Sequence, residues 1–124
     1  MLTFLVAIDG SGYSDSAVDY VVRRASLSKE LVHVHLLNVQ LPLSGVNVKL
    51  FIKPESVESY YRDEGMAVLQ KPRGVLGAAG IRCDHHIGVG DPAQVIIDYA
   101  QANNCDEIVM GTHGRGALGG AVMG

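Results

Sequence analysis

Cysteine is scarce in this chain: Cys83 and Cys105 are the only two among 124 residues. A disulfide framework is therefore not expected, and both thiols read as reduced, buried or half-buried positions in or beside strands. Neither has an adjacent activating base, which argues against redox catalysis. An excess of positive charge is missing too. Ten Lys and Arg against thirteen Asp and Glu leave a net charge of -3, which argues against a nucleic-acid or anionic-membrane surface. Arg23-Arg24, the one adjacent basic pair, suits a solvated helix face. No apolar run approaches the length of a membrane span. Residues 2–8 have the apolar look of a signal-peptide core, yet no basic residue precedes them, no small-residue cleavage site follows, and Asp9 ends them. A cytoplasmic protein is the resulting expectation. Internal repeats, low-complexity tracts and linkers are absent as well. With 48% hydrophobic and 19% charged residues, the chain reads as one folded domain over 1–124.

What is present alternates regularly. Leu2-Thr3-Phe4-Leu5-Val6-Ala7-Ile8 is apolar almost throughout, as in a strand covered on both faces of a parallel sheet. Asp9-Gly10-Ser11-Gly12 reads as a turn and Ser14 as a helix N-cap. Ala17, Val18, Val21, Val22 and Ala25 form the apolar stripe of that helix. Residues 31–39 make a second strand. Residues 41–53, with Pro42 and Gly45 and no clear period, read as a loop. A helix is expected from Pro54 toward Gly80, its Glu55 and Glu58 suiting the N-terminal dipole and Ala79-Gly80 its stop. Pro72 inside that helix removes a backbone bond and clashes with the preceding turn, at a cost on the order of 3 kcal/mol, so a kink or break is expected near Lys71. Residues 81–89 are a third strand. Asp91-Pro92 opens a helix whose buried face is read as Ala93, Ile96, Ile97 and Ala100. Asn103-Asn104 ends it, and residues 106–110 are a fourth strand. The alternation predicts an α/β fold: a doubly wound parallel sheet with helices on both faces.

Residues 111–124 follow the fourth strand and hold six glycines. A strand that ends in a glycine-rich loop presents backbone N–H groups to an anion such as phosphate. Gly111, Gly114 and Gly124 stand in a Gly-x2-Gly-x9-Gly spacing. In open α/β sheets ligands sit beyond the carboxyl ends of strands, where the strand order reverses. If the first and fourth strands are neighbours there, Asp9 faces the mouth of the glycine loop. Its carboxylate would accept from a ribose hydroxyl or hold a metal bound to phosphates, while the amides of Gly111, Gly114 and their successors meet phosphate oxygens. A nucleotide is the expected ligand. Two plainer readings stand beside it: an unordered tail at the chain terminus, and an Asp9 that caps its own turn.

Asp9-Gly10-Ser11 with Ser14, then Val89-Gly90-Asp91-Pro92-Ala93, then Ile108-Val109-Met110-Gly111-Thr112-His113-Gly114-Arg115-Gly116 resemble the universal stress protein (UspA) family, in order, from residue 3 to residue 124. The resemblance implies a Rossmann-like sheet of the adenine nucleotide alpha hydrolase-like type, with strand order 3-2-1-4 and the family's usual fifth strand missing. It implies a homodimer or other homo-oligomer, and ATP (or AMP or ADP) with Mg as ligands, because ATP-binding members carry the Gly-x2-Gly-x9-Gly pattern followed by Ser or Thr. On that match Asp9, with Gly10 and Ser11, lies near the ribose and, through phosphate-bound Mg, the metal. Val39 occupies the position whose backbone meets adenine. Met110, Gly111, Thr112, His113 and Gly114 wrap ribose and phosphates, and Gly124 is the third glycine. The Ser or Thr after it is absent, as are the helix and strand that continue the family pattern. The expectation from that match is weaker binding: a missing hydrogen bond would cost roughly 1.5–3 kcal/mol and a missing helix N-terminus about 0.3–1 kcal/mol, together some one to three powers of ten in affinity.

The expected role is a nucleotide sensor or signalling module of the stress response, not an enzyme. The loop lacks the Lys-Ser/Thr pair of the Walker sequence, and no general base is placed to activate water. A nucleotide-free dimerisation or protein-interaction module and a slow ATPase are the alternatives. Among the histidines, His33 and His35 are two apart on a strand and share one face; a metal pair would need a third ligand, and none is evident, so hydrogen-bonded positions at a sheet–helix boundary are expected. His85 and His86 point to opposite faces. His113 lies inside the glycine loop without a visible orienting partner.

Overall fold

The N-terminal apolar run becomes β1 (Leu2–Ala7), with its four central residues buried. The computed structural model describes residues 1–42, 54–111 and 122–123. After β1 come α1 (Gly12–Leu27), β2 (Val32–Gln40), α2 (Pro54–Ala78), β3 (Arg82–Val89), α3 (Pro92–Ala102), β4 (Glu107–Met110) and β5 (Val122–Met123). The sheet order is β3-β2-β1-β4-β5. The first four strands are parallel, with Leu2 beside Val32 and Phe4 beside Glu107 at the two edges of β1. The expected order 3-2-1-4 is therefore present. At the β4 edge a two-residue strand runs antiparallel, Val109 opposite Val122 and Ile108 opposite Met123. That short strand stands where no fifth strand was expected.

Alternate side chains along β1 and β2 separate two cores. Phe4, Val6, Ile8, Val34 and Leu36 meet Ala17, Val18 and Val21 of α1 and Leu69 and Leu76 of α2. Leu5 and Leu37 face the other way and meet Ile96 and Ala100 of α3. Two helices thus cover one face and a single helix the other, so on the α3 side β3 is only partly covered: Asp84 and His86 are exposed. The entry of β4 is fixed to that of β1 by Asp106. Its carboxylate accepts the Thr3 amide at 2.8 Å, and its own amide donates to the Thr3 carbonyl at 2.8 Å. The Arg24 guanidinium, lying over the Phe4 ring, reaches both oxygens of Glu107 at 3.1 Å and so ties α1 to β4.

Three local expectations change. The helix N-cap falls at Ser11, and Ser14 lies inside α1, buried, because its hydroxyl is used by Asp9. Helix α2 runs unbroken through Pro72. That ring is buried in line with Leu69 and Leu76, so packing offsets part of the lost backbone bond. In α3, Ala93 and Ile97 are exposed and the inward face is Val95, Ile96, Tyr99 and Ala100. The helix is rotated so that Val95 lies against Gly88. The loop read over 41–53 lies outside the described residues from 43 onward.

Candidate functional site

Helix α1 leaves β1 toward one face of the sheet, and α3 returns to β4 from the other. The strand order reverses between these two neighbours, which opens a crevice at their carboxyl ends. A cleft of about 250 Å3 occupies it, lined among others by Asp9, Ser14, Val39, Ile96, Met110 and Gly111. Its volume is just under the roughly 300–1,000 Å3 of typical small-molecule sites. Its walls are apolar, drawn from β1, β2, β4 and the start of α3, and its carboxylate is Asp9.

Asp9 is held by its own turn. Oδ1 accepts the Ser11 amide at 2.9 Å, the Ser11 hydroxyl at 2.6 Å and the Ser14 hydroxyl at 2.6 Å, while the Asp9 amide donates to Ser14 Oγ at 2.8 Å. Partial burial opposes ionisation, but the hydrogen bonds from Ser11 and Ser14 and from the backbone outweigh it and hold the carboxyl below the usual aspartate range. The turn-capping reading and the ligand-facing reading thus meet in one residue. Gly10 makes the turn possible with φ +86°, a conformation that an L side chain rarely adopts. It faces Val68 of α2 and not the cleft, and Ser11 reaches the cleft only through Asp9.

Gly111 closes the opposite rim. A Cβ there would run into the backbone carbonyl of Tyr13 and would sit 2.8 Å from the Tyr13 Cβ, so only glycine lets β4 end against the first turn of α1. Of the ten residues expected at the site, the cleft brings together Asp9, Val39, Met110 and Gly111. Thr112, His113, Gly114 and Gly124 lie outside the described residues, and with them the phosphate end of the expected site.

Several residues at the cleft carry no signal that sequence reasoning used. Ser14 read as a cap, and its role as the second hydroxyl on Asp9 appears only once the turn is folded. Pro92 and Ile96 enter as lining because α3 starts beside β2. Asn38 is buried, and its Nδ2 donates to the Ile8 carbonyl at 2.8 Å. Gln40 continues the chain, donating to Asn38 Oδ1 at 3.0 Å and to the Tyr61 carbonyl at 3.2 Å, and its own carbonyl accepts the Gly90 amide at 2.9 Å. These bonds pin the carboxyl ends of β1 and β2. An amide in the middle of the run Leu36-Leu37-Asn38-Val39 was the available signal. The two cysteines are free and half-buried. Burial pushes the Cys83 thiol up to about 11 and raises that of Cys105, so neither is a ready nucleophile.

The universal stress protein family matches residues 1–124. The chain is 26% identical over 125 residues to universal stress protein YxiE of Bacillus subtilis, covering 97% of this chain and 84% of that protein. Among solved structures it resembles a universal stress protein family protein from Arabidopsis thaliana with AMP bound, at 20% identity and a TM-score of 0.67, covering 94% of this chain and 80% of that one. It resembles equally a universal stress protein in complex with cAMP, at 23% identity and a TM-score of 0.68, with 94% and 80% covered. At those identities the two structures speak for the fold, the same parallel α/β sheet. With the match running the full 124 residues, the chain belongs to the universal stress protein family.

Proposed function

We propose that this chain is an adenine-nucleotide-binding module with a sensing or signalling role, the nucleoside lying in the cleft at the ends of β1, β2 and β4. One observation carries the reading: a switch-point cleft combines apolar walls from Val39, Ile96 and Met110 with an ionised carboxylate, Asp9, at its rim. The flat apolar face of a purine suits the first, and hydroxyl donors of a ribose suit the second. Among the described residues the hydrogen bonds to Asp9 all fall on Oδ1, which leaves Oδ2 for the ligand. AMP and cAMP, bound by the two related proteins, share adenosine and differ at the phosphate. That is the part of a nucleotide this cleft fits. Mg, where a polyphosphate is bound, would be shared between the phosphates and Asp9 and would neutralise their charge. We read the module as a binder and not a catalyst, any ATP hydrolysis being slow.

Calorimetry with AMP and with ATP, each with and without Mg, tests this on the chain and on Asp9→Ala. Binding of both nucleotides is expected. Loss of a hydrogen bond to a charged acceptor costs roughly 1.5–3 kcal/mol, so Asp9→Ala should weaken binding about 10- to 100-fold. Mg should matter for ATP and little for AMP. A folded chain that binds no adenine nucleotide would sink the proposal and leave a protein-interaction module. Phosphate release dependent on one side chain would make it an enzyme.

A further inference from the structure

His33 and His35, two apart on β2, point to the α3 face of the sheet with their ring centroids 4.4 Å apart. Neither is at the surface: they are 7% and 8% exposed. The β2–β3 register places Asp84 beside His35. Its Oδ2 lies 2.6 Å from His33 Nε2, and one ligand atom from each of the three residues falls within 4.8 Å of the others. The third ligand that the sequence did not reveal is therefore supplied by the neighbouring strand, about fifty residues away. His35 Nδ1 meets the Tyr99 hydroxyl of α3 at 2.8 Å, which fixes that ring's orientation. The other side of the group opens to solvent, because the Asp84 side chain is 58% exposed.

We propose that His33, His35 and Asp84 form a binding site for a divalent metal ion of the zinc type. Two imidazoles and one carboxylate are the donor set such ions take, with solvent completing the sphere on the open side. Packing alone does not ask for this arrangement, since burying two facing imidazoles where aliphatic residues would fill the same strand positions carries a desolvation cost. In the metal-free protein the 2.6 Å contact between His33 Nε2 and Asp84 Oδ2 holds these two side chains together. Tyr99 acts as a positioning residue through its hydrogen bond to His35, the kind of outer contact that tunes metal affinity. Its ring is itself held by stacking on His86, with centroids 5.2 Å apart. Arg82, paired with His33 on the same strand face, opposes the ion's charge. The site lies apart from the nucleotide cleft: four residue steps along β2 lead from His35 to Val39, about 13 Å.

The test is titration of the full chain, freed of metal by chelator, with zinc chloride by calorimetry and with cobalt chloride by visible absorption. One equivalent should bind, and cobalt should give the d–d bands of a nitrogen- and oxygen-ligated ion. Tyr99→Phe should weaken binding roughly 10- to 100-fold, and His33→Gln and Asp84→Ala by more than that. Arg82→Ala should tighten it. His85→Gln, on the opposite face of β3, should leave it unchanged. Asp84 is at the surface, so Asp84→Ala keeps the test open should His33→Gln fail to fold. Absence of stoichiometric binding, or binding that survives both ligand substitutions in folded protein, would overturn the assignment.

Discussion

At Gly111 the end of β4 and the first turn of α1 compete for one space, and only the missing side chain settles it. Tyr13 presents backbone there, which cannot swing aside as a side-chain tip would. Gly111→Ala should therefore act as overpacking of a closed contact, costing about 1–3 kcal/mol. The readout is thermal unfolding, with Tm falling by several degrees, and nucleotide binding should weaken with it because the rim of the cleft moves. An unchanged Tm would mean that the contact is loose. Asp9 shows a different residue-scale lesson. Its two neighbouring serines, Ser11 and Ser14, are spaced so that turn and helix start deliver both hydroxyls to one oxygen. The sequence showed the carboxylate, and the fold showed why it stays ionised.

Among the elements, α2 contains the sharpest conflict between local propensity and packing. Pro72 forfeits up to about 3 kcal/mol of helix stability, yet its ring is buried beside Leu69 and Leu76. Replacing it with Ala removes two methylenes at about 0.8 kcal/mol each and frees the unfolded chain by about 0.4–1 kcal/mol. The helix gain is the larger, so Pro72→Ala should stabilise the protein by something under about 1 kcal/mol, measured by urea unfolding. A clear loss of stability would show that the ring's packing dominates. Strands β1 and β2 were legible in the sequence because both their faces are buried and their residues need no alternation. The orientation of α3 was not. Tyr99 and Val95 turn inward only because His35 and Gly88 wait for them on other strands. Asp84 as the partner of His33 was hidden for the same reason, since strand register is a property of pairing and not of either strand alone.

Across the whole molecule, the alternation of strands and helices together with the motifs Asp9-Gly10-Ser11, Gly90-Asp91-Pro92 and Met110-Gly111 gave the fold and the place of the cleft. The short antiparallel β5 at the β4 edge was not legible, because two residues carry no periodicity of their own. The topology also sets an order of events. β1 is the central strand, hydrogen-bonded to β2 on one side and β4 on the other. The first partner follows closely in the chain, but Asp106, which grips Thr3, lies 103 positions away. As the polypeptide leaves the ribosome, one edge of an almost wholly apolar strand therefore waits bare until nearly all of the described chain has been made. Such an edge invites pairing with other molecules. Nascent chains stalled after residue 104 should accordingly recruit holdase chaperones or aggregate, whereas chains stalled well past Met110 should resist protease. This protein's most vulnerable moment falls during its own translation, before the residues that close its central strand have left the ribosome.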